Sequence, residues 1–199
     1  MFRPDRWPGS RSRFANDPST RVALYVGRLS PEKNLDALAG LARARGFHLV
    51  MVGEGPDEAR LRRTLQGASA TITGPLYGEE LADVYAAADV FVFPSVTETL
   101  GLVILEAMAT GVPVVAAETD ASKELLGTAS AARLFPAGRP ELIPKLAEEL
   151  LSGRDRSETA AVLRSRVGEH TWAASTRGLL DYYRQAAAEM PTRRQSRFR

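Results

Sequence analysis

The run FPSVTETLGLVILEAMATGVPVVA, residues 93–116, decides the fold. It reads as a buried strand ending at Pro94, a polar loop, a helix opening near Leu100 and Gly101, and a second buried strand over 112–116. A strand, a helix and a strand joined so tightly form a parallel crossover unit. Two carboxylates stand at its joints, Glu98 before the helix and Glu106 within it. Glu106 is flanked by Leu-Val-Ile-Leu and Ala-Met-Ala, where an unsatisfied carboxylate costs on the order of several kcal/mol. It is therefore a ligand candidate. The helix rises about 1.5 Å per residue, roughly 8 Å from Gly101 to Glu106, and its N-terminus offers free N–H groups and a positive dipole end to a phosphate. One carboxylate could hold hydroxyls on each side of a bound diphosphate. The spacing alone equally allows a loop glutamate near a helix start and a second glutamate bonded to neighbouring backbone.

The same residues carry a family resemblance. ETLGLVILE resembles the E-x7-E signature of retaining GT-B glycosyltransferases of the large group 1 family, and Pro-Ser before it and EAMATGVPVVA after it extend the likeness. In that family the C-terminal domain binds a nucleotide-sugar donor. The resemblance implies that Glu98 contacts hydroxyls of the transferred sugar and Glu106 the ribose. It also implies that backbone amides of Thr99, Leu100, Gly101 and Leu102 face the diphosphate.

A chain of 199 residues, 44% hydrophobic, can bury one sizeable core with appendages but hardly two full domains. Its 26 basic and 24 acidic residues nearly cancel, and much of the positive excess sits at the ends, in Arg3, Arg6, Arg11 and Arg13 and in TRRQSRFR. Such runs are usually solvated, so no nucleic-acid partner is expected. Peripheral contact of the Arg-rich ends with anionic lipid stays open. The absence of cysteine excludes disulfides, thiolate metal sites and a cysteine nucleophile. No apolar run approaches the roughly 18 residues that span a bilayer, and no signal-peptide core opens the chain. A cytoplasmic location, with peripheral placement at the inner membrane face left open, is the expectation.

Residues 1–20 mix Pro, Gly, Ser and Arg without periodicity and read as a linker or arm. In the resembled family such a segment joins the two GT-B domains, so an N-terminal acceptor domain, or a partner chain in its place, is expected beyond it. VALYVG from Val22 is a buried strand followed by RLSPEKN and the helical pattern LDALAGLARAR. Ser30, Pro31 and Lys33 look like a helix start. Arg28 at the strand end and Lys33 in the first turn could converge on one anion or stand as two solvated cations. By resemblance, GRLSPEKN is the phosphate-binding segment. Arg28 and Lys33, beside Gly27, then stabilise the leaving diphosphate and rank with Glu98 as the catalytic group.

FHLVMVGEGPDEARLRRTL gives a strand, a tight turn at Gly53 and Gly55, and a helix. The dinucleotide fingerprint fails because Glu58 stands at its third glycine, whereas VGEGP is a turn the family carries. His48, between Phe47 and Leu49, reads as a satisfied structural histidine. ATITGPLYGEELADVYAAAD supplies a short strand, a turn and an amphipathic helix. By resemblance the backbone at Leu76 edges the nucleotide base, and Tyr77 is expected to pack over the next helix. Glu118, Thr119 and Asp120 depart from the family's frequent Gly-Gly loop, which leaves donor-sugar contacts there open. Residues 131–137 read as a last strand. Pro140 opens a helix whose first turns tolerate Pro144, and His170 has no partner that would make it a base.

The expected fold is α/β: a Rossmann-like parallel sheet with helices on both faces, the C-terminal half of a GT-B fold, plus extra C-terminal helices. The expected divisions are an arm over 1–20, a donor-binding domain over 21–153, helices over 154–189 and a basic tail over 190–199. The implied reaction is retaining transfer of a hexose from a UDP- or GDP-linked donor to a hydroxyl, with no resident cofactor and no metal. A non-catalytic nucleotide-sugar-binding module, or an epimerase or phosphorylase on the same fold, are the alternatives.

Overall fold

The computed structural model describes residues 11–15, 17–97, 101–152, 155–168, 170 and 172–189. Contacts divide the chain into two units, Met1–Val167 and Gly168–Arg199.

The first unit is built on six strands: β1 (Arg21–Val26), β2 (Phe47–Val52), β3 (Ala70–Gly74), β4 (Val90–Phe93), β5 (Val114–Ala117) and β6 (Ala132–Phe135). They lie in the order β3-β2-β1-β4-β5-β6, every neighbouring pair parallel. β1 pairs on both sides, with Leu24 opposite Val50 and opposite Phe91. The central strands are unbroken apolar runs because both faces are covered. Val22, Ala23, Leu24 and Tyr25 are wholly buried, as are Val114, Val115 and Ala116. The helices of this unit are α1 (Ala39–Arg43), α2 (Glu58–Thr64), α3 (Gly78–Ala87), α4 (Leu102–Thr110), α5 (Asp120–Leu126), α6 (Ile143–Leu151) and α7 (Arg156–Val167). The result is the expected Rossmann-like fold. Connections from β1 run outward one way and those from β4 the other, so a crevice opens between the ends of β1 and β4. In such sheets ligands bind there.

α4 starts at Leu102, with Gly101 as its left-handed N-cap (φ 63°), and ends on Gly111, also left-handed (φ 79°). Its positive φ is what favours glycine here; a Cβ on residue 101 would also meet Leu125 Cδ1 at 2.4 Å, a side-chain tip that can move aside. Ile104, Ala107 and Met108 bury the inner face of α4. Pro144 lies in the first turn of α6, where a missing N–H costs nothing.

Three expectations about the elements change. Lys33 does not lie in the first turn of an α-helix, and Ser30 makes no cap. Pro31–Lys33 is a 3-10 turn that stops at Asn34 in the left-handed region (φ 53°), a further 3-10 turn covers Leu35–Leu38, and α1 begins only at Ala39. The Ser30 hydroxyl instead donates to the Glu32 carboxylate at 2.5 Å. Local bonding of this kind competes with capping. The described part of the 1–20 arm is docked: Arg11 donates to Asp89 at 2.7 Å and to the Thr20 carbonyl at 2.6 Å. α7 belongs with the sheet, the division falling after Val167 and leaving α8 (Trp172–Glu189) to the second unit.

Asp89 anchors the end of the sheet opposite the crevice, where β1 and β4 begin. It is 7% exposed, accepts the Val22 N–H at 2.7 Å as well as Arg11, and lies 3.7 Å from Arg156 of α7. Arg156 also donates to the carbonyls of Ala86 and Ala88, both at 3.0 Å.

Candidate donor-binding site

The loops at the C-terminal ends of β1, β2 and β3 are locked to one another by backbone bonds. Gly27 N–H donates to Val52 O at 3.0 Å, Leu29 N–H to Glu54 O at 2.9 Å, Asp57 N–H to Leu29 O at 3.0 Å, and Gly53 N–H to Gly74 O at 2.9 Å. The glycines of Val-Gly-Glu-Gly-Pro make this approach possible. A Cβ on residue 53 would lie 2.0 Å from Gly27 O, and one on residue 55 would lie 2.2 Å from Leu29 O. No side chain fits at either position.

These loops enclose an open cleft of about 620 Å³ lined by Val26, Gly27, Arg28, Val52, Gly53, Glu54, Gly55, Pro75, Leu76 and Tyr77. That volume suits a small organic ligand. Five of the residues singled out in the sequence, Gly27, Arg28, Gly53, Gly55 and Leu76, thus share one cavity. The Arg28 carbonyl accepts the Tyr25 hydroxyl at 3.0 Å, which fixes the chain as it leaves β1. Tyr77 does not pack over α3. The residue is 73% exposed on the cleft wall, its backbone extended and Gly78 turning with φ 57° as the helix begins.

Lys33, Gly101, Leu102 and Glu106 do not line that cleft. Lys33 closes the 3-10 turn after β1, and Thr97 of the loop after β4 reaches that turn, its hydroxyl donating to Glu32 O at 3.3 Å. The two loops therefore meet across the crevice. Glu98, Thr99 and Leu100 lie outside the described residues. Leu102 is exposed at the start of α4, one helical turn before Glu106.

Glu106 is half-buried, and its Oε2 accepts the hydroxyl of Tyr85 on α3 at 2.8 Å; the same hydroxyl lies 3.2 Å from Val103 O. Burial pushes the Glu106 carboxyl above its ordinary value of 4.5, and the Tyr85 hydrogen bond opposes that push. Burial, then the adjacent carboxylate, raises the Tyr85 phenol well above its ordinary value. The sequence did not reveal this partner. The one signal was a tyrosine in the apolar run VYAAAD, since a buried phenol requires an acceptor. Tyr25 and Tyr85 are further joined through the core by ring contacts, Tyr25 to Phe93 at 6.3 Å, Phe93 to Phe91 at 6.1 Å and Phe91 to Tyr85 at 5.7 Å.

His48 is held on both nitrogens, by Ser69 and Thr71 hydroxyls at 2.9 Å each, and burial lowers its pKa. It is structural, as expected. Glu118 pairs with Lys123 at 2.9 Å, and Thr119 caps α5 through a reciprocal bond with Ser122. No described helix is long and apolar enough to cross a membrane.

Comparison with known proteins agrees with this architecture. The profile of the family described as glycosyl transferases group 1 matches residues 20–153. A GDP-mannose-dependent alpha-mannosyltransferase of Mycobacterium tuberculosis (strain CDC 1551 / Oshkosh) is 38% identical over 174 residues, 87% of this chain and 45% of that protein. A sulfoquinovosyl transferase of Arabidopsis thaliana is 34% identical over 172 residues, 83% of this chain and 34% of that protein. The chain thus spans less than half the length of these curated relatives. Among solved structures, sucrose-phosphate synthase from Thermosynechococcus elongatus superimposes with a TM-score of 0.72 at 26% identity, covering 94% of this chain and 51% of that one. Anabaena HepE in complex with UDP gives 0.73 at 19% identity over 93% of this chain and 56% of that one, a likeness of fold. The match over most of the chain, on a sheet of this order, shows that the chain belongs to the group 1 glycosyl transferases.

Proposed function

We propose that the chain is the donor-binding half of a retaining hexosyltransferase and binds a nucleoside-diphosphate sugar in the crevice at the ends of β1 and β4. The observation that carries this reading is the cleft at the ends of β1, β2 and β3 in which Gly27, Arg28, Gly53, Gly55 and Leu76 meet; α4 carries the half-buried carboxylate of Glu106 one turn from its start. Arg28 and Lys33 supply cationic charge for the departing diphosphate, and the start of α4 adds its dipole. Glu106 takes the ribose, Leu76 borders the base, and Glu98 with Thr99 and Leu100 serves the sugar and phosphate. A retaining step needs no separate base where the leaving phosphate accepts the acceptor proton on the same face, and no resident metal or cofactor enters the reading.

A GDP-linked donor has the first claim, since several relatives are named as GDP-mannose-dependent mannosyltransferases. A UDP-linked donor is the alternative, favoured by the UDP complex of a structural neighbour. The hydroxyl acceptor is taken by an N-terminal domain or partner chain corresponding to the relatives' remaining length.

Calorimetric titration of the 199-residue chain with GDP, UDP and ADP, repeated on Glu106→Ala, tests the reading. The expected result is saturable binding of one nucleotide, weakened at least about tenfold, about 1.4 kcal/mol, by the substitution. A folded chain that binds none of the three, or binds one regardless of Glu106, overturns it.

A further inference from the structure

Tyr85 is fully buried on α3, its ring against that of Phe91 with centroids 5.7 Å apart. Phenylalanine would fill the same space without sinking a hydroxyl into apolar surroundings. The hydroxyl therefore has a partner to serve: the Glu106 carboxylate, reached across the α3–α4 contact at 2.8 Å, is nearer than the other acceptor, the Val103 carbonyl at 3.2 Å. Among the described residues Tyr85 is the group that hydrogen-bonds this carboxylate, and it takes Oε2 alone. The glutamate side chain has three rotatable torsions, which a bond from a rigid buried ring restricts.

We propose that Tyr85 is a positioning residue for nucleotide binding: by holding Glu106 through Oε2 it presents Oε1 to a vicinal diol, the 2′ and 3′ hydroxyls of a ribose. The inference rests on the reading of Glu106 as the ribose ligand. It assigns Tyr85 no contact with the ligand, and makes the fit of the diol depend on a group buried beneath it. A carboxylate held in advance loses less freedom when the diol arrives, so the hydroxyl acts through affinity and through selection of the sugar.

The test compares the wild-type chain, Tyr85→Phe, Tyr85→Leu, Glu106→Ala and the Tyr85→Phe/Glu106→Ala pair. Each is titrated with whichever of GDP or UDP binds, and with its 2′,3′-dideoxy counterpart. Tyr85→Phe is expected to weaken the ribonucleotide about tenfold, about 1.4 kcal/mol, to leave the dideoxynucleotide unchanged, and to have no further effect once Glu106 is alanine. Tyr85→Leu separates packing from positioning: a loss that phenylalanine restores belongs to the ring, and a loss that it does not restore belongs to the hydroxyl. Equal weakening of both nucleotides in Tyr85→Phe, or wild-type affinity for the ribonucleotide, overturns the positioning role while leaving Glu106 as the ribose ligand. A wild-type chain that binds the two nucleotides equally well overturns the ribose reading of Glu106, and the inference with it.

Discussion

At the level of single residues, Glu106 sets stability against its proposed role in binding. Burial raises its pKa above 4.5, so the folded chain holds the proton more tightly than the unfolded one. The stability this contributes is fully present below about pH 4.5 and is lost as pH rises through the folded-state value. Glu106→Gln is therefore expected to melt higher than wild type at pH 7 and to converge with it near pH 4, as read by thermal denaturation, while nucleotide affinity falls. The glycines of the β2 turn pose the opposite case, since Gly55→Ala would place a methyl 2.2 Å from a backbone oxygen that cannot retreat. It should cost about 1–3 kcal/mol in urea unfolding and impair nucleotide binding as well. Glu106 was legible as a ligand candidate because a carboxylate inside LVILEAMA is anomalous on its face. Tyr85 was not, because the two meet only when α3 and α4 pack, and sequence spacing carries no information about that contact.

At the level of elements, the strands were legible and the segment after β1 was not. Unbroken runs such as VALYV and VPVVA read as strands of a sheet covered on both faces, whereas Ser30 and Pro31 meet the capping and first-turn rules for a helix start. The chain departs from those rules because Asn34 accepts the left-handed region and Ser30 turns its hydroxyl to Glu32. α7 is tied to the far end of the sheet by Arg156, which Asp89 and the Ala86 and Ala88 carbonyls hold. Asp89→Ala removes the acceptor of both Arg11 and the Val22 N–H and should destabilise the chain by about 3–5 kcal/mol in urea. The affinity of the remaining folded protein for nucleotide should be unchanged, because this cluster stands at the end of the sheet away from the crevice.

On the scale of the whole molecule, the strand order follows from parallel connections with one handedness, which leave few arrangements open. The crevice comes with that order, since the loops of β1 and β4 depart in opposite directions. What sequence could not supply is the distance across it, which depends on how loops and helices settle on the finished sheet. If the crevice binds a nucleotide in the folded state alone, GDP or UDP at 100 times its Kd should stabilise the first unit by about 2.7 kcal/mol. Differential scanning calorimetry would register this as a higher Tm, absent in Glu106→Ala.

The ring contacts from Tyr25 to Tyr85 give this molecule a calliper. One jaw is the phenol on the Arg28 carbonyl and the other is the phenol on the Glu106 carboxylate, with Phe93 and Phe91 as the bar between them. The spacing of these two phenols is therefore set in the core, where solvent does not reach, rather than at the surface. If the proposed site spans both jaws, Phe91→Leu should shift them and change nucleotide affinity in titration, although Phe91 itself, wholly buried, touches no ligand.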